Sequence, residues 1–286
     1  MPKLKVAFIG GSGLYNIEGI LKIEKLEIDT PFGKTSAPIT IGELNNSQIA
    51  FLPRHGLNHQ INPSEIPSKA NIYALKSIGI NKIISFSAVG SLQKEIAPLQ
   101  LVIPNQIIDR TKSRPSTFFE NGIVAHVSFA DPFCKRLNKF LIKTGESLNI
   151  DLHQNKTYLA MEGPQFSTKA ESHLYRSWRA DIIGMTAIPE AKLAREAEIC
   201  YSIIATVTDY DCWHETEEGV SVELVVQNLI KNLDTSKKMI YEITSSLNVD
   251  NDCECSNALK NAIITNKDSI PNNINEKLSL FTKKYL

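Results

Sequence analysis

The chain has 286 residues, 42% of them hydrophobic, which is enough to build one large domain or two small ones. Lys plus Arg and Asp plus Glu both count 31, so the formal net charge of zero points to neither a nucleic-acid nor a membrane partner. No apolar run approaches the roughly 18 residues that a membrane helix needs, and we expect a cytoplasmic protein.

Strand-like and helix-like segments alternate along the chain. Runs rich in Ile, Val and Phe predict strands over 5–10, 48–53, 82–88, 101–109, 180–185 and 201–211. Helical spacing of apolar residues and helix-forming composition predict helices over 67–79, 131–149, 188–199 and 221–247. The alternation indicates an α/β fold in which a mixed or mostly parallel central β-sheet is flanked by helices.

We expect a single domain over residues 1–286, because no linker rich in Pro, Gly and Ser divides the chain. The polar, Asn-rich segment from about 248 to 286 predicts a surface connection that ends in a short helix. In α/β sheets ligands bind at the carboxyl ends of the strands, so the residues after each predicted strand are the candidates for a functional site.

A glycine-rich loop follows the first predicted strand and contains Gly10, Gly11, Ser12 and Gly13. A dinucleotide fingerprint would need a third glycine where Asn16 stands, so NAD binding is not expected. Backbone N–H groups around glycines can nevertheless cradle an anion. A plain strand-to-helix turn is an equally good interpretation of this loop.

A basic pair, Arg54 and His55, follows the second predicted strand. An Arg side chain binds phosphate oxygens in a bidentate manner, and a neighbouring His can donate to the same anion. His55 and His59 have the spacing of a zinc pair, but the Glu of an H-E-x-x-H motif is absent. We therefore expect an anion site here and no metal.

Hydroxyl groups follow two further strands, at Ser87-Ala88 and at Thr186. Each could belong to an ordinary turn, but several strand ends that carry basic or hydroxyl groups favour one shared phosphate site. No G-x-S-x-G elbow or Walker A motif is present, which argues against serine hydrolases and NTPases. Cys253 and Cys255 are too close for an ordinary zinc knuckle, and we expect no metal and no cofactor.

Two aspartates, Asp209 and Asp211, end the last predicted strand in the segment TDYDCW. The residues alone favour a solvated turn over a catalytic or recognition pair. Two close carboxyl groups in an apolar pocket would behave differently, because repulsion and desolvation favour keeping one proton on such a pair.

Eight segments run in order from about residue 5 to about residue 230: IGGSGLY, DTPFGKTS, PRHGLNHQINPSEIPSKANIYALK, SAVGSL, IDRTKSRPSTFF, EGPQFSTKAES, DIIGMTAIPEAKLAREAEICY and TDYDCW. Together they resemble the S-methyl-5′-thioadenosine phosphorylases, in the trimeric branch of the purine nucleoside phosphorylase family. The resemblance implies a nucleoside phosphorylase-like fold. It also implies the reversible reaction of methylthioadenosine with phosphate to adenine and 5-methylthioribose 1-phosphate, a step of methionine and purine salvage.

The resemblance also assigns roles to residues. It implies a phosphate site formed by Ser12, Arg54, His55, Ser87, Ala88 and Thr186. Close relatives usually carry Thr at positions 12 and 87, and Ser keeps the hydroxyl. It further implies that Phe166 packs on the purine, that Met185 lies against the ribose, and that Asp209 and Asp211 read the base as the catalytic pair.

Specificity and assembly are implied in the same way. Ser167 and Val222 are specificity positions, since an apolar Val222 suits a methylthio group, although periodicity alone makes Val222 a helix core position. His126 is implied to reach a neighbouring subunit's site in a homotrimer or a dimer of trimers. Some relatives form disulfides at the positions of Cys134 and Cys200 and in a C-terminal Cys-x-Cys, here Cys253 and Cys255.

The chemistry needs these residue types because phosphorolysis passes through an oxocarbenium-like sugar with phosphate as the nucleophile. The leaving adenine accepts a proton at N7 and donates from its N6 amino group, and we expect Asp209 to be the acid at N7 with Asp211 in support. Three alternatives remain open: a phosphorylase for other purine nucleosides, a hydrolytic nucleosidase and a non-catalytic nucleotide sensor.

Overall fold

The computed structural model describes residues 6–11, 19–214, 222–247 and 253–286. The strands in these ranges are β1 Val6–Gly10, β2 Leu21–Leu26, β3 Ile39–Leu44, β4 Ser47–Pro53, β5 Lys82–Ser91, β6 Leu101–Arg110, β7 Leu152–Met161, β8 Ile182–Gly184 and β9 Cys200–Asp209. The helices are α1 Ser68–Ser77, α2 Lys135–Ser147, α3 Lys169–Ser177, α4 Ala187–Glu196, α5 Val222–Ser246 and α6 Asn272–Thr282. None of these helices is both long and apolar enough to cross a membrane.

All nine strands belong to one mixed sheet, in the order β2-β3-β4-β1-β5-β8-β7-β6-β9. Strand β9 also pairs with β5, so that β5, β8, β7, β6 and β9 close into a ring. Strands β4, β1, β5 and β9 run parallel to one another, and their carboxyl ends therefore lie at the same edge of the sheet. The predicted α/β fold with a mixed central sheet is confirmed.

Helices cover both faces of this sheet, which explains why the central strands are apolar throughout. Every residue of β9 is buried. On one face, residues of α1 and α4 such as Leu75 and Leu193 pack on the strands, and on the other, residues of α2 and α5 such as Leu141 and Ile240 do so. The site residues at the strand ends are thus carried by the most completely buried part of the fold.

Four elements were not predicted from the sequence: β2, β3, β7 and α3. Strand β2 is almost entirely exposed and half of β7 is polar, so neither carries a continuous apolar run. Helix α3 begins with a capping box between Thr168 and Glu171. That T-x-x-E spacing is the sequence signal that could have identified the helix.

The C-terminal segment differs from the expected surface connection. Its final helix is present as α6, but Leu259, Ile270, Leu278 and Phe281 are buried in the core shared with α1 and α4. These apolar residues are spread among asparagines and lysines, so composition suggested a solvated tail. The predicted final helix is confirmed, whereas the prediction of a surface connection before it is wrong for residues 253–271.

Candidate active site

A cavity of about 260 Å³ opens at the carboxyl ends of the parallel strands. It brings together nine of the predicted site residues, namely Arg54, His55, Ser87, Ala88, Phe166, Met185, Thr186, Asp209 and Asp211. Ser12 lies outside the described residues, although its neighbour Gly11 lines the cavity. His126, Ser167 and Val222 do not line it.

Strand pairing explains how these side chains meet. The Arg54 N–H donates to the Gly10 carbonyl at 3.0 Å, which sets Arg54 beside the start of the glycine loop. Gly90 of β5 pairs with Asp209 of β9 and with Ile183 of the antiparallel β8. A Cβ on Gly90 would lie 2.9 Å from Asp209 Oδ1, so a glycine is needed where this carboxyl enters the cavity.

Arg54 is almost fully buried, with 2% exposure, and is paired with Glu190 of α4. Its Nε and Nη2 donate to the two oxygens of Glu190, its Nη2 also donates to Ser85 Oγ at 2.5 Å, and its Nη1 donates to the Phe86 carbonyl at 3.1 Å. Burial lowers the pKa of Arg54, but Glu190 together with Tyr201 and Tyr158 raises it above its ordinary value, so the guanidinium stays charged.

Only part of the Arg54 guanidinium remains for a ligand. Four of its N–H groups donate to protein, and the fifth, on Nη1, has no partner among the described residues. Sequence reasoning missed Glu190 because it read that residue as an ordinary helix former. The strand-end position of Arg54 is as expected, but its charge is balanced inside the protein.

His55 lines the cavity in a single tautomer. Its Nδ1 lies 2.8 Å from the Ile61 carbonyl, so Nδ1 carries the proton and donates it there. The pKa of His55 is lowered to about 4, because the ring is buried and lies beside the Arg54 guanidinium. At neutral pH the ring therefore offers Nε2 as an acceptor, not as the donor to an anion that the sequence suggested.

The lowered pKa of His55 predicts how stability depends on pH. Between its ordinary pKa of 6.5 and about 4, the unfolded chain takes up a proton that the folded chain does not, so stability falls as pH drops through this window. His55→Gln keeps a donor for the Ile61 carbonyl without titrating. We expect the wild type to lose more thermal stability than His55→Gln between pH 7 and pH 4, as measured by scanning calorimetry. An equal loss in both proteins would contradict this tautomer and pKa.

Three hydroxyl groups meet beside His55 and Arg54. Ser87 Oγ lies 3.0 Å from Thr186 Oγ1 and 3.1 Å from the hydroxyl of Tyr158. Thr186 is the N-cap residue of α4, but its hydroxyl does not cap the helix. Tyr158 was missed because it lies in β7, which was not predicted. Hydroxyl groups can reorient to donate or accept, so this cluster can bind an anion.

The two aspartates are buried, with exposures of 5% for Asp209 and 8% for Asp211, and so are not a solvated turn. Asp209 accepts hydrogen bonds from the Thr208 hydroxyl at 2.7 Å and from the Asp211 N–H at 2.8 Å. Burial raises the pKa of Asp211, although the nearby hydroxyls of Ser172 and Ser167 and the Cys212 N–H act to lower it. Oδ2 of Asp211 is buried and has no hydrogen-bond partner among the described groups.

The two carboxyls differ in their surroundings. The Asp209 carboxyl accepts hydrogen bonds. Burial raises the pKa of the neighbouring Asp211, and one oxygen of Asp211 has no hydrogen-bond partner among the described groups. Two carboxyl groups in this arrangement can donate to one atom of a ligand and accept from another.

The remaining walls are mostly apolar. Phe166 and Met185 line the cavity together with Val225, Leu229 and Leu233 of α5. Arg114, missed in the sequence, donates to the backbone carbonyls of Met185 and Ile188 and fixes the segment that carries Met185.

Three predicted positions lie outside the cavity. Val222 is 62% exposed and sits one turn before Val225 on α5, so the apolar wall begins one turn later than expected. The Ser167 hydroxyl donates to the Met161 sulfur at 3.7 Å, and the Ser167 carbonyl accepts from the Cys212 thiol at 3.2 Å. His126 lies elsewhere, and its backbone N–H donates to the Ala262 carbonyl at 2.9 Å.

The chain is similar to known proteins in both sequence and structure. Residues 5–245 match the model of the phosphorylase superfamily. S-methyl-5′-thioadenosine phosphorylase of Koribacter versatilis is 48% identical over 98% of this chain and 96% of its own. A crystal structure of methylthioadenosine phosphorylase from an Antarctic soil metagenomic library has a TM-score of 0.92, with 46% identity over 98% of this chain and 99% of its own.

A crystal structure of the Schistosoma mansoni methylthioadenosine phosphorylase in complex with adenine has a TM-score of 0.81. It is 31% identical and covers 98% of each chain. The similarities in sequence and in fold lead to one assignment: this chain belongs to the phosphorylase superfamily, among the S-methyl-5′-thioadenosine phosphorylases.

Proposed function

We propose that the protein catalyses the reversible phosphorolysis of S-methyl-5′-thioadenosine to adenine and 5-methylthio-α-D-ribose 1-phosphate. The observation that carries this proposal is one cavity that is lined both by basic and hydroxyl groups and by two buried carboxyls. A phosphate oxygen bonds to C1′ of the ribose, the C1′–N9 bond breaks, and adenine takes that electron pair and gains a proton.

Phosphate binds beside Arg54, His55, Ser87 and Thr186. The uncommitted N–H of Arg54 and the two hydroxyl groups donate to its oxygens, while His55 Nε2 accepts from the remaining O–H of the hydrogen phosphate dianion. Most of the Arg54 charge is balanced by Glu190, so the hydroxyls of Ser87 and Thr186 contribute much of the binding, and Ser12 remains an expected donor. No side-chain nucleophile is required, because phosphate itself attacks.

The carboxyl pair binds the base. Adenine presents N7 as an acceptor and N6–H₂ as a donor along the same edge. We assign contact with N7 and N6 to Asp209, where Gly90 leaves it room, and support to Asp211, whose raised pKa keeps a proton in the pair.

The apolar walls select the two ends of the nucleoside. Phe166 packs on the purine, and Met185, held by Arg114, lies against the ribose. Val225 and Leu229 of α5 suit the methylthio group, which has no donor or acceptor as strong as a hydroxyl. This favours methylthioadenosine over adenosine.

The direct test is adenine release with and without phosphate, followed by chromatography. A phosphorylase releases adenine only when phosphate is added and stops within one turnover when phosphate is removed. Release at the same rate in phosphate-free buffer would identify a hydrolytic nucleosidase, and no release in either buffer would identify a binding protein.

We also propose that the protein works as a homotrimer or a dimer of trimers, with His126 completing the site of a neighbouring subunit. His126 does not line the cavity of its own chain, which supports a role elsewhere. Native mass spectrometry distinguishes three from six chains, and a monomer that retains full activity would contradict the shared site.

A further inference from the structure

Four cysteines from three distant segments converge at the end of β9 opposite to the active-site cavity. Cys200 begins β9, whereas Asp209 ends it. Cys134 is the N-cap residue of α2, and Cys253 and Cys255 lie at the 3₁₀ turn Glu254–Asn257. The four sulfur atoms all lie within 4.8 Å of one another, and those of Cys134 and Cys253 are 3.5 Å apart.

This spacing fits a tetrahedral metal ion. Zinc–sulfur bonds of about 2.3 Å place the four sulfurs of a tetrahedral site about 3.8 Å from one another. The backbone N–H of Leu137 already donates to Cys134 Sγ at 3.4 Å. Such N–H donors stabilise a thiolate and fix its direction, as outer groups around metal ligands do.

The surroundings also suit the charge of such a site. Four thiolates with one Zn²⁺ carry a net charge of −2. Lys82 and Arg136 line the same pocket as Cys134, Cys200 and Cys253, and apolar Leu137, Phe140 and Leu247 complete its wall. Two cations beside the cluster balance this charge in a poorly solvated place.

We propose that Cys134, Cys200, Cys253 and Cys255 bind one zinc ion in a tetrahedral Cys₄ site. Zn²⁺ binds the four thiolates, the four thiol protons are released to solution, and no oxidation occurs. The ion ties residues 253–286, which carry α6, to the first turn of α2 and the start of β9, and so acts as a structural clamp.

This proposal departs from the sequence-based expectation of no metal. That expectation considered the local spacing of Cys253 and Cys255, whereas the other two ligands stand 119 residues before Cys253 and at the start of β9. The family resemblance suggested instead two disulfides, Cys134–Cys200 and Cys253–Cys255. Disulfides and zinc would use the same four sulfurs, so they exclude each other.

The test uses protein purified under reducing conditions and dialysed without metal or chelator. Elemental analysis by plasma mass spectrometry is expected to find about one zinc ion per chain. Exchange of zinc for Co²⁺ is expected to give the visible absorption bands of tetrahedral thiolate-bound cobalt. Absence of zinc and of these bands after refolding with each metal would overturn the proposal, as would an intact mass showing the loss of four hydrogens to two disulfides.

Matched variants locate the ion. The double variant Cys253→Ser, Cys255→Ser is expected to lose zinc by at least about tenfold. Cys212→Ser removes the one cysteine outside the cluster and is expected to keep the wild-type zinc content. Unchanged zinc in the double variant would place the ion elsewhere and contradict the proposal. The cobalt spectrum of the wild type decides the matter even if the double variant fails to fold.

Discussion

Arg54→Met is expected to lower the free energy of unfolding by about 3–5 kcal/mol and the phosphorolysis rate by about 10²–10³-fold. The loss of stability has a specific cause. Glu190 is buried against Arg54, and removal of the guanidinium leaves a buried carboxylate without its partner. Stability is measured by denaturant unfolding and the rate by adenine release at saturating methylthioadenosine.

A double variant separates the two effects. Arg54→Met combined with Glu190→Gln removes both charges, and we expect it to recover most of the lost stability because no charge is left unpaired. The phosphorolysis rate should stay low and the KM for phosphate high, since the donor to phosphate is still missing. Recovery of the rate together with stability would show that Arg54 is only a structural partner of Glu190.

Asp209→Asn is expected to reduce kcat/KM for methylthioadenosine by about 10²–10⁴-fold. The amide cannot protonate N7, and its NH₂ group opposes the N6 amino group of adenine. The same amide can donate to the O6 of a 6-oxopurine, so the preference should shift toward methylthioinosine. Both substrates are compared by kcat/KM in the same preparation.

Asp211→Asn is the matched comparison, because it makes the same chemical change two residues away. We expect a smaller loss with adenine substrates and little shift toward 6-oxopurines, since Asp211 supports the pair and does not contact N6. A larger shift in Asp211→Asn than in Asp209→Asn would reverse the roles assigned to the two carboxyls. Undiminished adenine selectivity in Asp209→Asn would contradict base recognition by this residue.

The fold was predictable where strands are buried on both faces. Strand β9 is apolar along its whole length and was found within two residues of its end. Strand β2 was not predicted, because it is exposed and is stabilised by pairing with β3. A local sequence pattern cannot reveal such pairing. The C-terminal segment was misjudged for the opposite reason, since a few apolar residues such as Leu278 and Phe281 are enough to anchor a polar chain.

The site residues were predictable as strand-end groups and by family resemblance, but their partners were not. Glu190 lies 136 residues after Arg54 and looks like any helix-forming residue. The tautomer and lowered pKa of His55 depend on the Ile61 carbonyl and on burial, neither of which has a sequence signature. Tertiary contacts of this kind decide which groups donate and which accept.

The central claim is that phosphate, not water, displaces adenine from C1′ of the ribose. Identification of the sugar product tests this claim most directly. The protein is incubated with methylthioadenosine and inorganic phosphate, and the products are followed by phosphorus NMR and mass spectrometry. The account predicts 5-methylthio-α-D-ribose 1-phosphate formed in equal amount to adenine. Free 5-methylthioribose alongside adenine, with phosphate unconsumed, would contradict it.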